Sequence, residues 1–80
     1  MSTVSSVLVC REAQAALDAS PLFDLRSLVV EEETPGTLAI RGMVGSFYHK
    51  QLAQEAVRAV AKSLEYRVVN YVEVIDTLIN

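Results

Sequence analysis

Eighty residues, 51% hydrophobic and 21% charged, describe one compact domain, because disordered chains combine lower hydrophobicity with higher net charge. The net charge of -3 argues against a surface built throughout to attract phosphate backbones or anionic head groups, which excess Lys and Arg do by Coulomb attraction and counterion release. A single cysteine, Cys10, and a single histidine, His49, exclude an internal disulfide and a Cys/His structural metal set, so no cofactor is expected.

Met1 to Cys10 lacks a basic n-region, and Val9 stands where a lipoprotein cleavage site wants a small residue. No apolar run approaches the roughly 20 residues needed to span a bilayer. The reading is cytoplasmic, or periplasmic if a leader has been removed.

The first predicted element is a helix over 6–19. Arg11-Glu12-Ala13-Gln14-Ala15-Ala16-Leu17 is rich in helix formers, and Cys10, Ala13 and Leu17 fall on one stripe. Ser20-Pro21 ends it, since proline disfavours helical geometry in the residue before it. Leu22 and Phe23 are expected to plug the end of the core. Leu28 and Val30 then share one face of a first strand, which Glu31-Glu32-Glu33 carries into solvent as protection against stray edge pairing.

Thr34-Pro35-Gly36-Thr37 is a turn signal, because proline presets φ at the second position and glycine accepts the positive φ of a type II turn at the third. In the second strand Leu38, Ile40 and Val44 face inward, with Thr37, Ala39, Arg41 and Met43 on the other side. Gly42 interrupts the inner row, which suits a bulge or the close approach of a helix backbone. Ser46 is an N-cap for a second helix in which Ala53, Ala56, Val57, Val60 and Leu64 recur at helical spacing. In the third strand Val68, Asn70, Val72 and Val74 point inward and Arg67, Val69, Tyr71, Glu73 and Ile75 outward; a buried Asn70 then needs hydrogen-bond partners. Strand, helix and strand make a βαβ unit with a right-handed crossover and parallel pairing. The prediction is an α+β two-layer sandwich of αββαβ order, a three-stranded mixed sheet with two helices on one face.

The spacing Gly36-x-Leu38-x-Ile40-x-Gly42-x-Val44-x-Ser46, then Ala53 in an Ala-rich helix, then Val68-x-Asn70-x-Val72-x-Val74, resembles the BON domain family, a small bacterial αββαβ module. The resemblance spans about Ala13 to Ile75. It departs from the family before the last strand, where a Gly-Val pair is common and this chain has Ser63-Leu64-Glu65-Tyr66, so the helix exit must be built differently. The resemblance implies a non-catalytic binding module associated with phospholipid membranes or with protein association at the envelope.

Three surfaces compete as sites. Phe47 and Tyr48 with Lys50, Arg58 and Lys62 could form a membrane edge, aromatics at the interface and cations on phosphates; the alternative is that Phe47 covers the core and the cations pair with Glu55 or Glu65. Val29, Ala39, Met43, Val69, Tyr71 and Ile75, with Leu78 and Ile79 following, would gather on the sheet face away from the helices, a patch suited to a protein partner or a homodimer unless the C-terminal tail or first helix covers it or the residues are merely scattered. Gly42-Met43-Val44-Gly45 matches the GxxG loop of KH domains in form, but without basic central residues it reads as strand-to-helix packing, and nucleic acid is disfavoured.

Catalysis has little support. His49 lies in the first turn of a helix and reads as solvated, Ser46 and Cys10 lack a base partner in the sequence, and Glu31, Glu32 and Glu33 alternate faces. The expected function is association, with protein or with itself, and phospholipid contact is the alternative.

Overall fold

The computed structural model describes residues 6–75. Helix α1 (Ser6–Asp18) buries Val9, Ala13 and Leu17, an i, i+4, i+8 row that makes one straight stripe. Val9 thus takes the place expected of Cys10, which is half-buried at the margin of the core. The helix closes with Ala19 N–H on Ala15 O at 2.9 Å, and the Ser20 hydroxyl then accepts from Leu22 N at 3.0 Å across Pro21.

A four-residue helix, α2 (Phe23–Arg26), follows. The plug expected from Leu22 and Phe23 is made differently: Leu25 is buried and Leu22 partly so, whereas Phe23 is 73% exposed with the Arg26 guanidinium 5.6 Å from its ring centre. A single helical turn carries Leu25 to the core side and so turns Phe23 outward.

Strand β1 (Val29–Thr34) pairs antiparallel with β2 (Thr37–Arg41) through the predicted turn, where Gly36 has φ +85° and the Glu32 carboxylate accepts its N–H at 3.0 Å. Leu28, Val30, Leu38 and Ile40 all lie in the core. At Gly42, φ is +137° and the ladder breaks before β3 (Met43–Val44). Its inner side is filled by the Leu28 side chain, not by a helix backbone.

Ser46 caps α3 (Phe47–Ala61) as expected, its hydroxyl accepting from His49 N at 3.1 Å. Ala53, Val57 and Ala61 form the fully buried row, and Ala56, Val60 and Leu64 pack beside it. A 3-10 turn at Lys62–Leu64 leads to Glu65, which adopts the left-handed conformation (φ 60°, ψ 33°), while Tyr66 N–H returns to Ala61 O at 3.1 Å. This is a Schellman ending with glutamate where glycine is usual.

Strand β4 (Arg67–Asn70) pairs parallel with β2, Leu38 opposite Val68 and Ile40 opposite Asn70. Beyond the break, β5 (Glu73–Val74) continues parallel to β3. The sheet order is β1-β2-β4, mixed, with α1 and α3 packed on each other and on the same face. Asn70 finds the partners its position demands: its amide donates to Lys50 O at 3.0 Å and Gln54 Oε1 at 3.2 Å, and its carbonyl accepts from Val72 N at 3.1 Å. Leu78 and Ile79 lie outside the described residues.

Candidate functional site

The two edges of the sheet are finished in opposite ways. On β1, the Gln14 side chain from α1 donates to Leu28 O and accepts from Val30 N, both at 2.8 Å, and the Cys10 thiol donates to Val30 O at 3.5 Å. At Leu28 and Val30 these are groups that a foreign strand would need, and α1 side chains occupy them. Burial, then the nearby Glu32 and Glu31 carboxylates, push the Cys10 thiol above its ordinary pKa, the opposite of a reactive cysteine.

Along β4 and its continuation into β5, Arg67, Tyr71, Glu73 and Ile75 donate N–H groups to Gly36, Ile40, Gly42 and Val44 at 2.8–2.9 Å. Successive residues of a strand direct their backbone groups to alternate sides, so the N–H and C=O of Val68 and Asn70 point away from β2. Among the described residues nothing pairs with them. The Asn70 side chain, by taking up Val72 N–H, ends the free stretch.

Alongside that edge runs an open groove of about 580 Å³ between the second half of α3 and β4. Gln54, Ala61, Tyr66 and Val68 contribute to its walls, and Arg58, Lys62 and Arg67 supply three of the chain's seven cations. Among the described residues none of the three has a carboxylate within ion-pair distance, although Glu65 also lines the groove. In a chain of net charge -3 this is a local positive patch beside unpaired backbone.

The membrane-edge residues are split by this arrangement. Arg58 and Lys62 belong to the groove, whereas Phe47 and Tyr48 stand 75% and 67% exposed at the other end of α3. Phe47 does not cover the core, and the expected pairing of the cations with Glu55 or Glu65 is not formed; Glu55 accepts from Gln51 instead, at 3.2 Å. Lys50 contributes its backbone carbonyl to Asn70.

The outer sheet face is more polar than its alternation suggests. Arg41 pairs with Glu31 and lies 4.5 Å from the Tyr71 ring centre, and the Tyr71 hydroxyl donates to Glu33 at 2.9 Å. The line from Tyr71, beside Arg41, to Glu33, near Thr37, crosses the sheet at Ala39. Ala39 accordingly has 0% exposure and is no contact residue for a partner. Val29, Met43, Tyr71 and Ile75 are exposed and Val69 is half-buried. The Glu33 hydrogen bond raises the Tyr71 pKa, and the Glu31 hydrogen bond raises that of Arg41.

His49 is not simply solvated. Its Nδ1 lies 2.9 Å from Asp24 Oδ2, a bond in which Nδ1 must carry the proton because a carboxylate only accepts, and Gly45 N donates to the same oxygen at 2.8 Å. The histidine hydrogen bond, then the Gly45 N–H, hold the Asp24 carboxyl below its ordinary pKa. The pair joins α2 to the entrance of α3. Ser46 Oγ caps the helix by accepting from His49 N, and with the His49–Asp24 bond the three residues staple α2 to the entrance of α3. With Gly42 filled by Leu28 and Gly45 N–H bonded to Asp24, the GxxG segment presents no free backbone clamp.

No family model matches this chain, and no curated protein does. Among the described residues no helix is long and apolar enough to cross a membrane.

The groove was partly visible in the sequence as Arg58 and Lys62; Arg67 and the open edge were not. The signal that could have found them is the strand order, since a βαβ unit that returns beside the hairpin's second strand leaves its last strand at an edge.

Proposed function

We propose that this domain is a non-catalytic protein-association module that receives an extended segment of its partner as an added strand on β4. The observation that carries the reading is the asymmetry of the edges: Gln14 and Cys10 occupy the outward backbone groups at Leu28 and Val30, while among the described residues those of Val68 and Asn70 stay available beside a groove. Strand addition draws affinity from backbone hydrogen bonds and specificity from alternate side chains. A plugged opposite edge limits it to one added strand and prevents open-ended growth. The three-stranded mixed sheet with α1 and α3 on one face is the kind of architecture that the BON resemblance implies, and a binding role is what that resemblance suggests.

Peptide display against the domain tests this. Selected peptides should bind in extended form, and Val68→Pro, which removes an edge N–H without touching the β2 ladder, should abolish binding while circular dichroism stays unchanged. Because Val68 also packs on the core, a peptide N-methylated at alternate positions gives the same test without altering the protein. Equal affinity for methylated and unmethylated peptides would rule strand addition out.

A second reading, contact with anionic lipid, draws on the exposure of Phe47 and Tyr48. Phe47 and Arg58 share a stripe of α3, about 20° apart around it, but are separated by about 16 Å along its axis. Vesicle sedimentation that is lost in Phe47→Ala/Tyr48→Ala would support lipid contact; no sedimentation of the wild type removes it.

A further inference from the structure

Resting on the strand-addition reading, we infer that the segment received by β4 is acidic, with carboxylates at alternate positions facing α3. The free stretch of β4 and the flanking half of α3 are each about 13 Å long, at roughly 3.3 Å per strand residue and 1.5 Å per helix residue, so the groove seats about four extended residues. Side chains of an added strand alternate between the two faces of the sheet. Those directed to the helix side meet Arg58 and Lys62, and those directed outward meet Arg67. All three cations lack a carboxylate partner among the described residues, so an incoming acid displaces no existing pair.

A second copy of this chain fits the groove poorly on either of its edges. Its β1 edge is acidic, but Gln14 and Cys10 hold the backbone groups at Leu28 and Val30 that pairing along the edge needs, and Glu31 and Glu33 are engaged with Arg41 and Tyr71. Its β4 edge would bring Arg58, Lys62 and Arg67 against their own copies, where like charges repel. The occupant is therefore a partner whose extended segment carries negative charge.

Four capped, fluorescently labelled hexapeptides decide this by anisotropy: alternating valine and glutamate, the same with glutamine, the same with lysine, and the glutamate peptide N-methylated at alternate positions. The glutamate peptide should bind about tenfold more tightly than the glutamine peptide, with the advantage shrinking in high salt. Arg58→Glu/Lys62→Glu should invert the preference, binding the lysine peptide over the glutamate one, and a matching thermal melt shows that the variant is folded. Equal binding of glutamate and glutamine peptides overturns the acidic preference while leaving strand addition standing. Preference for glutamate that survives N-methylation overturns strand addition and leaves a plain anion groove. Binding of vesicles containing phosphatidylserine with no binding of any peptide overturns both in favour of lipid.

Discussion

Gln14 and Val30 are joined by a 2.8 Å hydrogen bond from the strand N–H to the side-chain carbonyl, and the other end of the same amide reaches Leu28 O. One helix side chain thereby stands in for a missing neighbouring strand. Gln14→Leu would leave a partly buried donor and acceptor without partners, at a cost of about 1–3 kcal/mol. We expect a lower denaturant midpoint and a mass by light scattering that grows with concentration, because the edge is opened. Gln14→Glu, which keeps the acceptor and loses the donor, should fall between. A Gln14→Leu protein that is monomeric and as stable as wild type would show that the amide does not guard the edge.

The glycines should differ in what they tolerate. A Cβ at Gly42 would lie 2.6 Å from Leu28 Cδ2 at a φ of +137°, whereas one at Gly36 meets nothing within 4 Å and faces only its φ of +85°. Gly36→Ala should cost about 1–2 kcal/mol from left-handed geometry alone. Gly42→Val should add an overpacking cost of about 1–3 kcal/mol or more. Thermal melts of the two variants with equal midpoints would mean that Leu28 moves aside freely.

Acid should act through Asp24. Its carboxyl titrates below the usual range in the folded protein, chiefly because His49 donates to it and secondarily because Gly45 does. The charged form is thus favoured by folding, so this stabilisation is complete above the unfolded carboxyl pKa of about 3.9 and is lost as pH falls through the lower folded value. Asp24→Asn should be less stable than wild type at neutral pH, with the gap closing below about pH 4. Urea melts across that range check it; a gap that stays constant would assign the loss to packing.

Glu65 holds a left-handed conformation that glycine adopts without steric cost. Glu65→Gly should therefore stabilise the domain by about 1 kcal/mol. It also removes the carboxylate from the groove and should tighten binding of the glutamate hexapeptide. Destabilisation on chemical denaturation would mean that the Glu65 side chain makes a contribution larger than its backbone strain.

The layers of the fold were readable because their signals are periodic or local. Leu38, Ile40 and Val72 follow the strand alternation into the core, Ala53 and Val57 follow the helical repeat, and the Ser46 cap and the Pro35-Gly36 turn need only neighbours in sequence. The inward register of Asn70 tells that it needs partners, though nothing local names Lys50 and Gln54. What escaped depends on distant side chains. Gln14 reads as an ordinary helix former until β1 is laid beside it, and His49 reads as solvated until α2 brings Asp24, which is 25 residues away in sequence. Helix α2 itself is too short to show a period, so the sequence points to Phe23 for the place that Leu25 holds. The outer face read as an apolar patch because alternation counts Ala39 and Tyr71 as apolar and cannot show the tyrosine spanning to Glu33.

Amide hydrogen exchange of the isolated domain, resolved residue by residue by NMR, tests the unequal edges most directly. Val68 and Asn70 should exchange rapidly while Val30, held by Gln14, and Tyr71, bonded to Ile40, exchange slowly. Slow exchange at Val68 and Asn70, or exchange at Val30 as fast as theirs, would contradict the account of one closed edge and one open one.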